Sequence, residues 1–175
     1  MLNVQGSNSS ETLSATSGAG ADYKYDGKAG NDVIVGSTGN DLILGGKGSD
    51  VLFGGAGEDT FKFDKFANAG DHDIITDFHV EAKAGVQDHF VLGDGVKITG
   101  LSYGYFADNS ANGVGLANDS KTMDATLTLT VMDGDKHFDY TVTLLDVIKN
   151  STWSLDAFKD YLHIDASVDV IHYGA

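Results

Sequence analysis

The chain has 175 residues, no Cys and no Pro, and a formal net charge of −15 from 26 acidic and 11 basic residues. That balance argues against nucleic acid as a partner. The missing Cys excludes a disulfide framework and a thiol nucleophile, and no apolar run reaches the roughly 18 residues of a membrane span.

Taken in chain order, the first ten residues, MLNVQGSNSS, lack a basic stretch followed by an apolar one, so no Sec-type signal peptide is read there. Residues 6–26 resemble worn copies of a nine-residue frame that becomes regular at Gly27. GSNSSETLS from Gly6 places Glu11 at position six and Leu13 at position eight. SGAGADYKY from Ser17 places Asp22 at position six, after which Asp26 breaks the count by one residue. For residues 1–15 a frayed N-terminal arm is the competing reading.

From Gly27 the frame repeats four times without a gap: GKAGNDVIV, GSTGNDLIL from Gly36, GGKGSDVLF from Gly45 and GGAGEDTFK from Gly54. Position six is Asp32, Asp41, Asp50 and Asp59; position eight is Ile34, Ile43, Leu52 and Phe61. Nine residues suffice for a turn plus a three-residue strand, with Gly permitting positive φ in the turn. The middle strand residue then faces inward. Successive turns fall on opposite edges of a coil, so turns n and n+2 stack. Asp32 is expected near Asp50, and Asp41 near Asp59. Val33, Val35, Val51 and Phe53 should line one outer face, with Leu42 and Leu44 on the other, awaiting cover by a later segment or a partner.

Carboxylates so placed repel one another without a counter-ion. Carboxylate and carbonyl oxygens, with no Cys or His in the turns, favour calcium over zinc or copper. Such short strands are marginal alone, so the ion would be part of the fold.

The four units resemble the G-G-x-G-x-D-x-U-x nonapeptide of RTX proteins. The resemblance implies an all-β fold, a parallel β-roll with roughly three to six calcium ions held between its turns. It implies side-chain ligands at Asp32, Asp41, Asp50 and Asp59. It further implies carbonyl ligands in the same turns: Gly27, Ala29 and Gly30; Gly36, Thr38 and Gly39; Gly45, Gly46, Lys47 and Gly48; Gly54, Gly55, Ala56 and Gly57. Lys28 and Ser37 depart from the family's second Gly, which points to weaker binding or a shifted carbonyl there.

After the repeats, DTFKFDKF and GDHDIITDF are similar to the stretch that closes the roll in serralysin-type proteases and in the R-modules of alginate epimerases. That resemblance implies further calcium ligands at Asp73 and Asp77, with Asp71 beside them. Asp88, Phe90 and Leu92 keep part of the next family segment, which is otherwise altered. The organisation read from this is a roll over 1–80 (firm repeats 27–62, closing segment 63–80) and a β-rich cap over 81–175.

Residues 101–122, rich in Gly, Asn, Ser and Ala, read as an exposed loop. DATLTLTVM and HFDYTVTLL read as a hairpin turned at Asp133-Gly134, with Leu127, Leu129 and Val131 facing Phe138, Tyr140, Val142 and Leu144. Ser151 or Thr152 caps a short helix carrying Leu155, Phe158 and Leu162 on one face. The end, DASVDVIHYGA, resembles the acidic-then-apolar termini of type I secretion substrates, or is an ordinary tail.

No H-E-x-x-H or G-x-S-x-G occurs, so a non-catalytic module is expected. His72 and His79, near Asp71, Asp73 and Asp77, raise a minor zinc alternative. The leading expectation is a calcium-binding module of a secreted Gram-negative bacterial protein, exported by a type I exporter. The alternative is a saccharide-binding or adhesin segment, for which Lys62, Lys65, Lys83 and Lys97 offer sparse basic contacts.

Overall fold

The computed structural model describes residues 1–15, 20–65, 67–79, 87–104, 123–148 and 155–162. Alternation of very short strands between two edges governs its architecture. β1 (Leu2–Gln5), β3 (Tyr23–Asp26), β5 (Leu42–Leu44), β7 (Thr60–Phe63) and β9 (His89–Leu92) form one five-stranded parallel sheet. β2 (Thr12–Ser14), β4 (Val33–Val35), β6 (Val51–Phe53) and β8 (His72–Ile75) pair in parallel on the opposite side. Odd strands on one sheet and even strands on the other make the chain a parallel β-roll, as the nine-residue frame predicts.

Register follows the frame. Ile34 pairs with Leu52, and Ile43 with Phe61. Leu13, Ile34, Leu52 and Ile75 point inward from one sheet; Tyr25, Ile43, Phe61 and Phe90 point inward from the other. All are buried, and they form one continuous core.

Residues 1–15 carry β1 and β2, and the frame that follows differs from the sequence reading in one place. Tyr25, not Lys24, pairs with Ile43. The frame therefore starts one residue later than Ser17 suggests, with Tyr23 at position six and Asp22 at position five. Three extra residues between the first two coils absorb the shift, so Asp26 breaks nothing. β1 adds a strand beyond the first coil.

The C-terminal half extends the even-strand sheet sideways. β10 (Val96–Gly104), β11 (Met123–Asp133) and β12 (Lys136–Ile148) are antiparallel, and β12 joins β8 in parallel, giving seven strands in all. Leu127, Leu129, Val131, Tyr140, Val142 and Leu144 are buried on the face that continues the roll's interior. The hairpin thus prolongs the core and does not lie over the roll's outer face. Its turn is Gly134-Asp135, one residue later than expected, with Gly134 at φ 63°. Residues 101–104 belong to β10 and not to a loop; 105–122, the capping residues 151 and 152, Lys83 and the chain end lie outside the described residues. The α1 helix (Leu155–Tyr161) buries Phe158 and Leu162, as its periodicity predicts. Phe158 meets Tyr103 edge-on at 6.1 Å. Of the outward strand residues, Val51 is buried, Val33, Phe53, Leu42 and Leu44 are half-buried, and Val35 is 39% exposed.

Ile43 sits fully buried in the middle of the roll. Truncating such a side chain removes transfer energy and leaves a cavity. Ile43→Ala is expected to lower stability by roughly 2–5 kcal/mol in urea unfolding at saturating calcium. A loss under about 1 kcal/mol would contradict close packing at this position.

Candidate metal centre

Acidic side chains stack in two columns, one along each edge of the roll. The amide of each position-six residue donates to an oxygen of the position-six carboxylate of the next coil on that edge. On one edge Glu11 N–H donates to Asp32 Oδ1 (3.0 Å), Asp32 N–H to Asp50 Oδ1 (2.8 Å), and Asp50 N–H to Asp73 Oδ1 (2.9 Å). On the other edge Tyr23 N–H donates to Asp41 Oδ1 (2.7 Å), Asp41 N–H to Asp59 Oδ1 (2.9 Å), and Asp59 N–H to Asp88 Oδ1 (2.9 Å). Asp32 therefore lies by Asp50, and Asp41 by Asp59, as the stacking argument requires.

A second ladder runs beside the first through position five, which sequence reasoning passed over. Asn31 N–H donates to Ser10 Oγ, Ser49 N–H to Asn31 Oδ1, Asn40 N–H to Asp22 Oδ1 and Glu58 N–H to Asn40 Oδ1, all at 2.9–3.0 Å. The recurrence of Asn, Asn and Ser at that position was the available signal. Asp22 therefore serves in this ladder and not as a position-six carboxylate.

The column carboxylates are buried. Apart from the Tyr25 hydroxyl, the fully buried side-chain polar atoms without a hydrogen-bond partner among the described residues are Oδ2 of Asp32, Asp50 and Asp59. Each faces its own turn. A Cβ on Gly27 would lie 2.6 Å from Asp32 Oδ2 and 2.4 Å from the Gly45 carbonyl oxygen. Cβ atoms on Gly45 and Gly54 would lie 2.3 Å from Asp50 Oδ2 and 2.5 Å from Asp59 Oδ2. Glycine at position one thus keeps the space around that oxygen clear. Positions two and four shape the turn with positive φ: Lys28 and Gly30, Gly46 and Gly48, Gly55 and Gly57.

The position-three residues Ala29, Lys47 and Ala56 tie adjacent turns together through their amides: Lys47 N–H donates to the Lys28 carbonyl at 2.9 Å and Ala56 N–H to the Ser37 carbonyl at 3.1 Å. The turn holding Gly36, Thr38 and Gly39 differs. Its Asp41 Oδ2 accepts the Ser37 amide at 2.6 Å, and Thr38 Oγ1 accepts the amide of Gly20 at 2.8 Å.

The closing segment reaches both columns. Asp73 ends the first column and Asp71 accepts the Gly48 amide through Oδ2 (2.9 Å). Asp77 accepts the amides of Gly54 and Gly55 at 2.8 and 2.9 Å, one through each carboxylate oxygen. Asp88 ends the second column. It also accepts the His79 amide (2.7 Å) and pairs with His79 Nδ1 at 3.2 Å. Asp88 was absent from the expected ligands, although Asp88-His89-Phe90 repeats the acidic-x-apolar spacing of Asp59-Thr60-Phe61.

Burial first, then neighbouring carboxylates, pushes Asp50 and Asp59 up to about 7. Burial likewise raises Asp32, Asp73 and Asp88. Such sites favour a bound cation or a bound proton. No cluster of three or more His, Cys, Asp or Glu side chains is poised to hold a metal among the described residues. A cation in these turns would therefore take one or two carboxylates and complete its shell from main-chain carbonyls. That all-oxygen donor set suits calcium. The zinc alternative loses its basis: His72 Nε2 meets Thr143 Oγ1 at 2.8 Å, while His79 faces Asp88.

Residues 26–61 match the RTX calcium-binding nonapeptide repeat in four copies. This segment is thus an RTX-type calcium-binding array. No curated protein gives a significant match to the chain.

The raised carboxylates fix the sign of the pH dependence without calcium. The folded state holds more protons than the unfolded chain between about pH 4 and 7, so stability is fully present below that window and lost as pH rises through it. Calcium-stripped protein should show a melting transition at pH 5 that moves to lower temperature as pH rises and is lost by pH 7.5. With calcium in excess the trend should reverse, because the ion competes with protons for the same oxygens. A calcium-free melting temperature that climbs with pH would contradict the buried, unpaired carboxylates.

Proposed function

We propose that the chain is a non-catalytic module of an exported bacterial protein, and that it folds outside the cell when calcium fills its turns. The observation that carries this reading is the set of three buried carboxylate oxygens without partners, in turns whose glycines keep the surrounding space clear. When bound, calcium supplies the positive charge that the −15 chain lacks in those turns.

The chain's own residues do the rest. Asp32, Asp50 and Asp59 join coil to coil through Oδ1 and present Oδ2 to the turn. The strands between them carry the core residues, so bringing the turns together also buries Ile34, Ile43, Leu52 and Phe61. In a low-calcium cytosol the same carboxylates repel, which keeps the chain extended for passage through a type I exporter. Extracellular calcium modules bind with Kd of roughly 10⁻⁴–10⁻³ M. At 100-fold excess each site adds about 2.7 kcal/mol, so three sites add roughly 8 kcal/mol. That is within the ~5–15 kcal/mol total of a typical domain.

Circular dichroism with calcium and with EGTA tests the proposal. At pH 7.5 strand signal and a cooperative melt are expected with calcium and should disappear with EGTA. Identical spectra and melting in both would refute calcium-driven folding.

A second reading, a saccharide-binding module, gains one observation. A cavity of about 480 Å³ brings Lys28, Lys47 and Lys62 together with Asp26 and Asp64, over Phe63 and Tyr140. Ammonium groups there suit sugar carboxylates and the Asp side chains suit hydroxyls. Calorimetric titration with uronate oligomers, with calcium in excess, should show binding that Lys47→Glu abolishes. Heat unchanged by Lys47→Glu would remove this reading.

A further inference from the structure

The four repeats do not form four equivalent turns. The turns from Gly27, Gly45 and Gly54 have positive φ at positions two and four and leave the Asp Oδ2 of position six without a partner. The turn from Gly36 has neither property. Ser37 and Gly39 both keep negative or extended φ, and Asp41 is fully engaged. Asp41 Oδ2 accepts the Ser37 amide at 2.6 Å, and Oδ1 accepts the Tyr23 amide at 2.7 Å and the Ser37 hydroxyl at 3.2 Å. Ser37 Oγ also accepts the Gly39 amide at 3.1 Å and lies 3.1 Å from the Ala21 carbonyl. A side-chain hydroxyl that bonds its own turn in this way stabilises a compact local conformation in competition with other backbone arrangements.

The first coil repeats the device. Ser7, also at position two, gives its amide to Glu11 Oε1. Serine at position two therefore goes with a carboxylate satisfied by its own turn. Gly at that position, or Lys28 at φ 71°, goes with a carboxylate left open. Lys28 pays for its left-handed backbone with about 1 kcal/mol or more, and it has no hydroxyl to favour the alternative.

We propose that Ser37 closes the Gly36–Asp41 turn against calcium, so that the array loads only at Asp32, Asp50 and Asp59 and their neighbours. Position two, rather than the Asp of position six, selects which repeats take the ion. The closed turn holds its shape through amide and hydroxyl donors and needs no cation to satisfy Asp41. This assignment rests on the calcium reading above and adds to it which turn is excluded.

The test is calcium stoichiometry, by native mass spectrometry and by equilibrium dialysis, on the full chain and four variants. Asp41→Asn should leave the number of bound ions unchanged, while Asp50→Asn and Asp59→Asn should each lower it by at least one. Ser37→Gly should raise it by one. Circular dichroism at saturating calcium checks that each variant reaches the folded state. For a variant that does not, the same count on Asp41→Ser replaces Asp41→Asn and Ser37→Asn, which tolerates positive φ, replaces Ser37→Gly. A count that falls with the Asp41 variant, or stays the same with the position-37 variant, overturns the assignment and leaves the calcium reading standing. A wild-type chain that binds no calcium overturns both.

Discussion

The roll depends on a carboxylate that serves two neighbours at once. One oxygen of Asp32, Asp50 or Asp59 accepts an amide from the preceding coil on its edge, and the other faces its own turn. The first contact belongs to the protein and holds the coils in register. The second is left without a donor, in a place shielded from water. Burying a charged group this way costs several kcal/mol unless something compensates it. An Asn in the same place would keep the amide contact and remove the charge, and with it the demand for a cation. The choice of Asp puts coil stacking and the demand for a cation on the same side chain.

Backbone geometry decides whether that demand arises. Position one is Gly because a neighbouring coil, the carboxylate or both approach it more closely than any Cβ allows: the Gly45 carbonyl and Asp32 at Gly27, and Asp50 at Gly45. Positions two and four are Gly for a different reason, since the turn needs left-handed φ there. Lys28 shows that position two tolerates a side chain when nothing competes. Ser37 shows what happens when something does: the hydroxyl and the amide fold back on Asp41 and the turn relaxes to ordinary φ. The motif's glycines are thus two separate requirements, one steric and one conformational.

The regular part of the fold was legible because nine-residue spacing constrains chain direction, side-chain facing and stacking together. The inward set from Ile34 to Phe61 and the pairing of Asp32 with Asp50 follow from period alone. Where the period fails, physical context takes over. Asp22 has the right chemistry for position six but sits one residue early, because three inserted residues between the first coils shift the frame and place Tyr23 there. Asp88 was obscured by the altered segment before it, although its spacing to Phe90 is that of the repeats. The hairpin's alternation gave its two faces correctly. It could not say that β12 would continue the even-strand sheet, because edge pairing depends on which strand ends exposed, here β8. The closure of the Asp41 turn was invisible for a related reason: Ser and Gly at position two differ by a φ sign that composition does not show.

A stacked array is nearly one-dimensional, each coil touching its neighbours and little else. Its stability is then set by whether the middle coils hold. The first coil satisfies Glu11 from Ser7, and the far end closes on Asp88, which accepts the His79 amide and meets His79 Nδ1. The unsatisfied carboxylates lie between these ends, at Asp32, Asp50 and Asp59. If those coils open, the pairings of β4 with β6 and of β5 with β7 are lost, and the N-terminal strands separate from β8 and the hairpin. The hairpin and helix would be left with an exposed interior face of Val142, Leu144 and Phe158. Self-satisfied carboxylates at Glu11, Asp41 and Asp88 are thus interleaved with the open ones at Asp32, Asp50 and Asp59, and under the proposed calcium reading folding of both halves is conditional on the same few oxygens.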